Sequence, residues 1–429
     1  MTTDSAPRRD CGCPDFAQAR LSRRRLLGTT AAGAGALVGA QLVGDAFLQV
    51  AYGGTPGGNV VVVLSLRGGS DGLSIVVPRG IDHDRLASYR PNIVVPESTL
   101  LGADPRFGLH PALADLMPMW NAGTFGAVHA IGMAAPNRSH FEAMEEMEDA
   151  DPGSTARVGW INRMIGLDTS AAPQDAVMLG STLLPTSMIG PAPALGAYRV
   201  ADFSIADVGT SQAVRRGSLG TMWGADQSVL GDGVRLALQS TTALAPLVDD
   251  ADNAVHVSAY PAGPLADVLA NTAALIRADV GTRIVAVDYG DWDMHEGVGS
   301  VDEGWMYDHL GHFAASLKAF FADLGSTASR VTVVTISEFG RRLEENGDGG
   351  IDHGYGNAML VLGAGVDGGQ VHGGWPGLAD DDLEDGDLAI RQDYRSVLWE
   401  VMSHRFPAIS GDRAKLFPGL TPEDVGVMT

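Results

Sequence analysis

The sequence contains very little cysteine, and this absence limits its chemistry. Only Cys11 and Cys13 occur among the 429 residues, and both lie within residues 1–50. That segment has the features of a removable export signal, so we expect no thiol in the exported protein. Structural disulfides and thiolate nucleophiles are therefore excluded from its mature activity.

Basic residues are also scarce relative to acidic ones. The chain has 29 Lys+Arg against 52 Asp+Glu, a formal net charge of −23. A polyanion would be repelled, and no basic stripe or aromatic ladder is visible, so we expect no nucleic-acid partner. A small anion is not excluded, because a cation cluster or a bound metal can reverse the field inside one cleft.

A long, strongly apolar run is missing near the N-terminus. Residues 28–44 are rich in Gly and Ala and are interrupted by Gln41, whereas a membrane span needs about 20 apolar residues. They follow the basic segment SRRRLL, which contains Arg23 and Arg24. This pattern is typical of a twin-arginine export signal.

We therefore predict a twin-arginine signal region at residues 1–50. The protein would engage the twin-arginine export machinery and work in the periplasm, the cell envelope or the extracellular space. We expect no stable membrane span in the mature form. Retention of the segment as an anchor is the alternative.

Strand-like and helix-like segments alternate along residues 51–429. We predict strands at 59–66, 124–132, 283–287, 330–336 and 357–362, and helices at 110–121, 139–149, 265–280, 303–324 and 392–406. This alternation predicts one α/β domain with a mostly parallel sheet and helices on both faces. The segment at about 151–261, richer in Gly, Pro, Ser and Thr, is interpreted as an insertion or cap.

Carboxylates and histidines stand at the ends of the predicted strands. The carboxyl ends of parallel strands meet in one crevice, so residues that are distant in sequence can converge there. Such side chains together are typical metal ligands. The candidate metal ligands are Asp71, Asp291, His295, Glu338, Asp352 and His353.

Several motifs carry a family resemblance. The segments LRGGSDGLSIVVP, HPAL, NRSHFEAME, SEFGR and DHGYGNAMLVLGAGVDGGQVHG, together with the leader, resemble the exported bacterial family catalogued as domain of unknown function 1501. That family is placed in the alkaline-phosphatase-like superfamily of metal-dependent phosphatases, sulfatases and phosphomutases. The resemblance, in order over most of the mature chain, implies an alkaline-phosphatase-like three-layer sandwich.

The resemblance also implies roles for individual residues. Ser139 falls where the nucleophilic hydroxyl sits at a helix N-terminus, and Asp71 where the first strand supplies a metal carboxylate. Two divalent ions in such a site activate the hydroxyl and neutralise the leaving oxygen. Further metal ligands implied are the Asp-x-x-x-His pair Asp291 and His295, Glu338 and the late histidine His353.

The chain departs from the superfamily pattern at Phe339, where alkaline phosphatases commonly have histidine. A phenyl ring cannot coordinate a metal, so one ion site would be weak unless another residue compensates. The candidates for that compensation are Asp352, Asp293 and His140.

Ser139 has a second interpretation. With Glu142 it forms Ser-x-x-Glu, a capping box in which the hydroxyl accepts a backbone N–H. The nucleophile and the cap both stay open. Arg138, beside it, is suited to bidentate recognition of a tetrahedral anion and is a candidate catalytic residue.

Two classes of function remain. The first is a secreted metal-dependent hydrolase of small anionic esters, with phosphate favoured over sulfate because the mature chain lacks the cysteine that sulfatases oxidise. The second is a non-catalytic, metal-stabilised binding or assembly protein on the same scaffold. Mixed carboxylate and imidazole ligands favour Zn²⁺ or Mn²⁺, and Ca²⁺ is an option if fewer histidines take part.

Overall fold

The computed structural model describes residues 57–135, 137–205, 212–249 and 255–429. The predicted signal region at 1–50, with both cysteines and the arginine pair, lies outside the described residues. Within them no helix is long and apolar enough to cross a bilayer.

The strands are short and spread over the described chain. In chain order they are β1 (Val60–Leu66), β2 (Val76–Pro78), β3 (Phe107–Leu109), β4 (Phe125–Gly132), β5 (Ala176–Leu179), β6 (Leu195–Ala197), β7 (Ile284–Tyr289), β8 (Val331–Ile336), β9 (Arg341–Glu345), β10 (Ile351–His353), β11 (Asn357–Gly363), β12 (Val371–His372), β13 (Leu383–Glu384), β14 (Asp387–Leu388) and β15 (Gln392–Asp393).

The α-helices alternate with these strands, and short 3-10 turns join many of the elements. In chain order the helices are α1 (Gly72–Ile75), α2 (Ile81–Tyr89), α3 (Met117–Asn121), α4 (His140–Asp149), α5 (Trp160–Ile165), α6 (Gln212–Trp223), α7 (Val229–Asp249), α8 (Pro264–Arg277), α9 (Trp305–Leu324), α10 (Tyr394–Arg405) and α11 (Arg413–Leu416).

One large sheet forms the centre of the molecule. Its strands lie in the order β12, β4, β11, β8, β1, β7, β5, β6, with β15 also paired to β4. β1 runs parallel to both β7 and β8, whereas β11 is antiparallel to its two neighbours. The prediction of a mostly parallel α/β sheet is confirmed.

Apolar layers cover both faces of this sheet. Alternate residues of β1 belong to different core clusters: Val62 packs with Leu269 and Phe313 of α8 and α9, and Val63 packs with Met147 and Val397 of α4 and α10. All seven residues of β1 are buried, because a strand covered on both faces has no solvent side. The fold is therefore a three-layer α/β sandwich.

Two segments differ from the sequence-based expectation. Residues 110–121 form a 3-10 turn at Pro111–Leu116 followed by the short helix α3, and Pro118, inside the segment, supplies no amide proton for a continuous helix. Within the expected insertion at 151–261, β5 and β6 extend the central sheet beside β7. That part of the segment is built into the sheet and is not a cap over it.

Candidate metal centre

The site lies where three neighbouring central strands end. The parallel strands β8, β1 and β7 are in register, with Ser65 opposite Ile336 and Leu66 opposite Tyr289. The loops that follow them therefore leave the sheet at the same edge. This is the edge at which ligands bind in open α/β sheets.

A double-glycine turn after β1 allows these loops to approach closely. Gly68 and Gly69 have φ of 113° and 72°, a region that side chains rarely adopt. A Cβ on Gly68 would lie 2.6 Å from the Asp293 backbone nitrogen, and one on Gly69 would lie 2.5 Å from the Phe339 ring. The two glycines therefore determine how near the β7 and β8 loops come to each other.

Three residues from separate elements form a potential metal-binding group. His140 begins α4, Asp293 lies in the loop after β7, and His353 ends β10. Each offers one ligand atom, and these atoms lie within 4.8 Å of one another. His295, two residues after Asp293, adjoins the group.

One carboxylate oxygen, Asp293 Oδ1, is the centre of this arrangement. The Nε2 atoms of the three histidines lie around it, at 3.4 Å for His140, 3.0 Å for His295 and 3.3 Å for His353. His295 Nε2 and His353 Nε2 are 2.9 Å apart. Tetrahedral donors at bonds of about 2.0–2.2 Å would be separated by about 3.3–3.6 Å, so small movements would suffice to surround an ion.

Hydrogen bonds determine which imidazole nitrogen faces the centre. Each Nδ1 lies 2.9 Å from an oxygen that carries no proton, so the Nδ1–H group is the hydrogen-bond donor. When the ring is neutral, its lone pair is therefore on Nε2, the atom that faces the centre. Such outer acceptors orient histidines that bind metals. The acceptors are Glu338 Oε1 for His140, Asp352 Oδ1 for His295 and the Arg138 carbonyl for His353.

The charges of the cluster are strongly coupled. Burial would raise the pKa of Asp293, but hydrogen bonds from His140, His353 and Arg341 outweigh it and hold that pKa well below its usual range. Burial lowers the pKa of His140, but Asp293 and Glu338 outweigh it and raise the pKa to about 9. A cation would therefore compete with the proton of His140 for the Nε2 lone pair.

Glu338 contacts His140 on the side of the ring away from Asp293 Oδ1, through Nδ1. Burial would raise the pKa of this carboxyl, but the hydrogen bonds from His140 and from the Gly68 amide outweigh it and lower the pKa. Its Oε1 accepts from that amide at 2.8 Å. Glu338 therefore orients a candidate ligand in this geometry.

The donor set fits a divalent ion. His140 Nε2 is shielded from solvent and lies 3.4 Å from Asp293 Oδ1, so the two atoms could bind the same cation. Arg341 opposes binding, because its guanidinium lies 2.8 Å from Asp293 Oδ1. The Phe339 ring packs against both His140 and His353, with centroid distances of 4.9 and 4.7 Å.

Asp71 is directed towards another charge. Its carboxylate is buried and pairs with the buried Arg90, with oxygen to nitrogen distances of 2.5 and 3.2 Å. Arg90 also donates to the Leu343 carbonyl. Among the described residues Asp71 is not part of the group around Asp293, and its role as a metal ligand stays a prediction.

Asp291 also lies outside that group. It is an exposed non-glycine residue with a left-handed φ of 64°, and it lines a cavity between the ends of β5 and β7 and the helices α8 and α9. The loop after β7 thus presents Asp291 and Asp293 to different places. The role of Asp291 as a metal ligand likewise stays a prediction.

Ser139 is the N-cap residue of α4, and its hydroxyl makes no capping hydrogen bond. The capping box expected as the alternative is therefore not formed. The backbone N–H of Ser139 instead donates to Asn137 Oδ1 at 2.7 Å. The side chain is exposed beside His140.

Arg138 is held by two contacts that the sequence did not indicate. It pairs with the buried Asp387, and its guanidinium lies 4.2 Å from the centre of the Tyr355 ring. Because its carbonyl also accepts from His353, Arg138 links the start of α4 to a candidate ligand. No local sequence signal marks Asp387 or Tyr355 as its partners.

Residues 230–391 match a known family model. That family is described as "Protein of unknown function (DUF1501)". The matched segment contains Asp293, His295, Glu338 and His353 and does not reach His140. None of the curated proteins matches this chain.

Solved structures provide two further comparisons. The chain is similar to the C-terminal periplasmic domain of EcEptC from Escherichia coli in complex with Zn, at 9% identity and a TM-score of 0.33, covering 74% of this chain and 77% of that one. It is also similar to the alkaline phosphatase from the Antarctic bacterium TAB5, at 9% identity and a TM-score of 0.25, covering 74% and 94%. Similarity at this level carries no information on activity.

Proposed function

We propose that this protein is an exported, metal-dependent hydrolase of phosphate or related small anionic esters. The observation that carries the proposal is the convergence of three imidazole Nε2 atoms on Asp293 Oδ1. His140, Asp293 and His353 would hold the ion, with His295 next to them. Nitrogen donors in this number favour Zn²⁺ or Mn²⁺ over Ca²⁺.

A bound divalent ion would supply Lewis-acid stabilisation of negative charge on an ester oxygen. The protein's own contribution to the attack would come from Ser139, whose hydroxyl is exposed and free of the cap interaction. Its position at the start of α4 also favours a bound anion, because the first amide groups of a helix point outwards. Phosphate esters are preferred to sulfate esters, since no cysteine occurs after residue 13.

The proposed location outside the cytoplasm rests on residues 22–27 and the weakly apolar stretch that follows them. The partners implied are the twin-arginine export machinery and a small anionic ester. Nucleic acid is not among them. Folding before export would allow the metal to be loaded in the cytoplasm.

Metal analysis combined with turnover tests the proposal. Protein purified without chelators should contain Zn or Mn, and it should hydrolyse an aryl phosphate. Ser139→Ala should lower turnover by several orders of magnitude, because the covalent route is lost, while the metal content stays unchanged. Ser410→Ala, at an exposed position in the loop before α11, is the matched control.

Two results would contradict the hydrolase. One is metal-replete wild type that turns over no phosphomonoester, phosphodiester or sulfate ester. The other is full activity of Ser139→Ala. Loss of activity together with loss of metal in Ser139→Ala would indicate a disturbed site and not a missing nucleophile.

A non-catalytic, metal-stabilised binding or assembly protein is the second candidate. The specific observation in its favour is the Asp71–Arg90 pair, which occupies a carboxylate expected to bind metal. Under this alternative the metal would raise the unfolding temperature, and no ester would be turned over.

A further inference from the structure

A second concave site lies outside the metal centre. It has a volume of about 470 Å³ and is bounded by the ends of β5 and β7, the start of α8 and one side of α9. Small-molecule sites typically have about 300–1,000 Å³. His140, Asp293 and His353 do not line it.

The wall of this cavity combines apolar surface with acidic groups. Met178, Leu265 and Val268 contribute apolar surface, and Asp288 and Asp291 contribute carboxylates. Neither Lys nor Arg is among the lining residues. A ligand would therefore meet negative charge next to hydrocarbon.

Of the two carboxylates, Asp291 is the one available to a ligand. Asp288 pairs with Arg67 at 2.7 Å. Asp291 is exposed and makes no hydrogen bond or ion pair within the described part of the chain. Asp291 lines the cavity with a left-handed backbone, a conformation that costs free energy in a non-glycine residue.

The histidines of the wall do not neutralise this carboxylate. Both ring nitrogens of His309 are engaged, by the Tyr289 hydroxyl at 3.0 Å and the Gly290 carbonyl at 2.9 Å, and burial lowers the pKa of His309 to about 4. His312 Nδ1 donates to the Asp308 carbonyl at 2.8 Å. A neutral His312 then has an acceptor, Nε2, to offer.

The start of α8 is the one feature of the wall that favours an anion, since a helix N-terminus is electropositive. Asp267 lies in the first turn of this helix and offsets that charge. The balance of the wall therefore favours a cation.

We propose that this cavity binds a small organic ammonium ion with an apolar body. The ammonium group would pair with Asp291 and donate to neighbouring acceptors, and the hydrocarbon would contact Met178, Leu265 and Val268. The proposal concerns a site separate from the metal centre and does not depend on the proposed hydrolase activity.

Three probes of nearly equal shape test the charge preference. Cyclohexylmethylammonium, cyclohexylmethanol and cyclohexanecarboxylate would be titrated into the full-length protein by calorimetry at neutral pH. The ammonium should bind at least about tenfold more tightly than the alcohol, which corresponds to about 1.4 kcal/mol, and the carboxylate should bind least. Its affinity should fall with added salt.

Two variants place the binding in this cavity. Asp291→Asn keeps the volume and suits a left-handed backbone, and it should remove the preference for the ammonium. Gly290→Trp should abolish binding, because Gly290 lines the cavity and a Cβ there meets no atom within 4 Å. Asp302→Asn and Gly411→Trp, at exposed positions outside the cavity lining, are the matched controls.

The proposal is overturned if the three probes bind equally, if none binds at millimolar concentration, or if Asp291→Asn retains the ammonium preference. Gly290→Trp that folds and binds as wild type would also overturn it. Should Gly290→Trp fail to fold, Asp291→Asn decides alone.

Discussion

The buried pair between Asp71 and Arg90 leads to the sharpest prediction. The two side chains are only 3% and 1% exposed and lie 2.5 Å apart. Asp71→Asn keeps the shape but leaves the guanidinium buried without its counter-charge. Removing one partner of such a pair costs about 3–5 kcal/mol, and we expect about 3 kcal/mol because the Asn oxygen still accepts one hydrogen bond.

This loss would be a large part of the stability of a domain, which is about 5–15 kcal/mol in total. The assay is urea unfolding, which measures the free energy of unfolding. Asp71 makes no capping hydrogen bond to α1, so a lost helix cap does not contribute. Asp71→Asn combined with Arg90→Met should be more stable than Asp71→Asn alone, since no buried charge then remains unpaired.

An exposed pair provides the control. Asp115 and Lys318 are 2.7 Å apart, with side chains 44% and 59% exposed, and Asp115→Asn should cost less than about 1 kcal/mol. A loss for Asp71→Asn no larger than for Asp115→Asn would refute the reasoning. Loss of bound metal in Asp71→Asn, without loss of stability, would instead support Asp71 as a ligand.

Three further predictions concern the metal, pH and export. His353→Ala should lower the metal content measured by mass spectrometry. His404→Ala, whose ring bonds the Glu400 carbonyl, should retain the metal, and equal content in the two variants would contradict the proposed centre. Burial lowers the pKa of His129 from 6.5 to about 4. The free energy of unfolding is therefore fully retained above about pH 6.5 and falls as the pH drops towards 4, by about 3 kcal/mol for one fully buried histidine. Urea unfolding at pH 7 and 4.5 should show a smaller loss for His129→Gln, and an equal loss would count against burial as the cause. Replacing Arg23 and Arg24 by Lys should retain the protein in the cytoplasm, as cell fractionation would show, and unaffected export would point to another signal.

Much of the fold could be predicted because its signals are local. The β-branched run of β1 and the alternation of long helices with strands predict a parallel sheet whatever the detailed packing is. The parallel topology alone predicts that carboxylates and histidines at the strand ends lie along one edge of the sheet. This placement predicts a metal site at this edge, and His353 and the loop after β7 contribute to the candidate group found there.

The choice among neighbouring residues was made only by tertiary structure. Asp291 and Asp293 are two residues apart, yet one lines a cavity and the other contacts three histidines. The local backbone conformation determines where each of the two side chains lies. The φ of 64° at Asp291 cannot be predicted from a pattern in the sequence.

The ion-pair partners of the charged groups likewise could not be predicted from the nearby sequence. Arg90 neutralises Asp71 from a separate segment, and Asp387 holds Arg138 from 249 residues away. The sequence by itself determined which side chains are available at the carboxyl edge of the sheet. Only the folded chain decided which of them meet, because a charge in a protein interior pairs with whichever opposite charge the packing brings within reach.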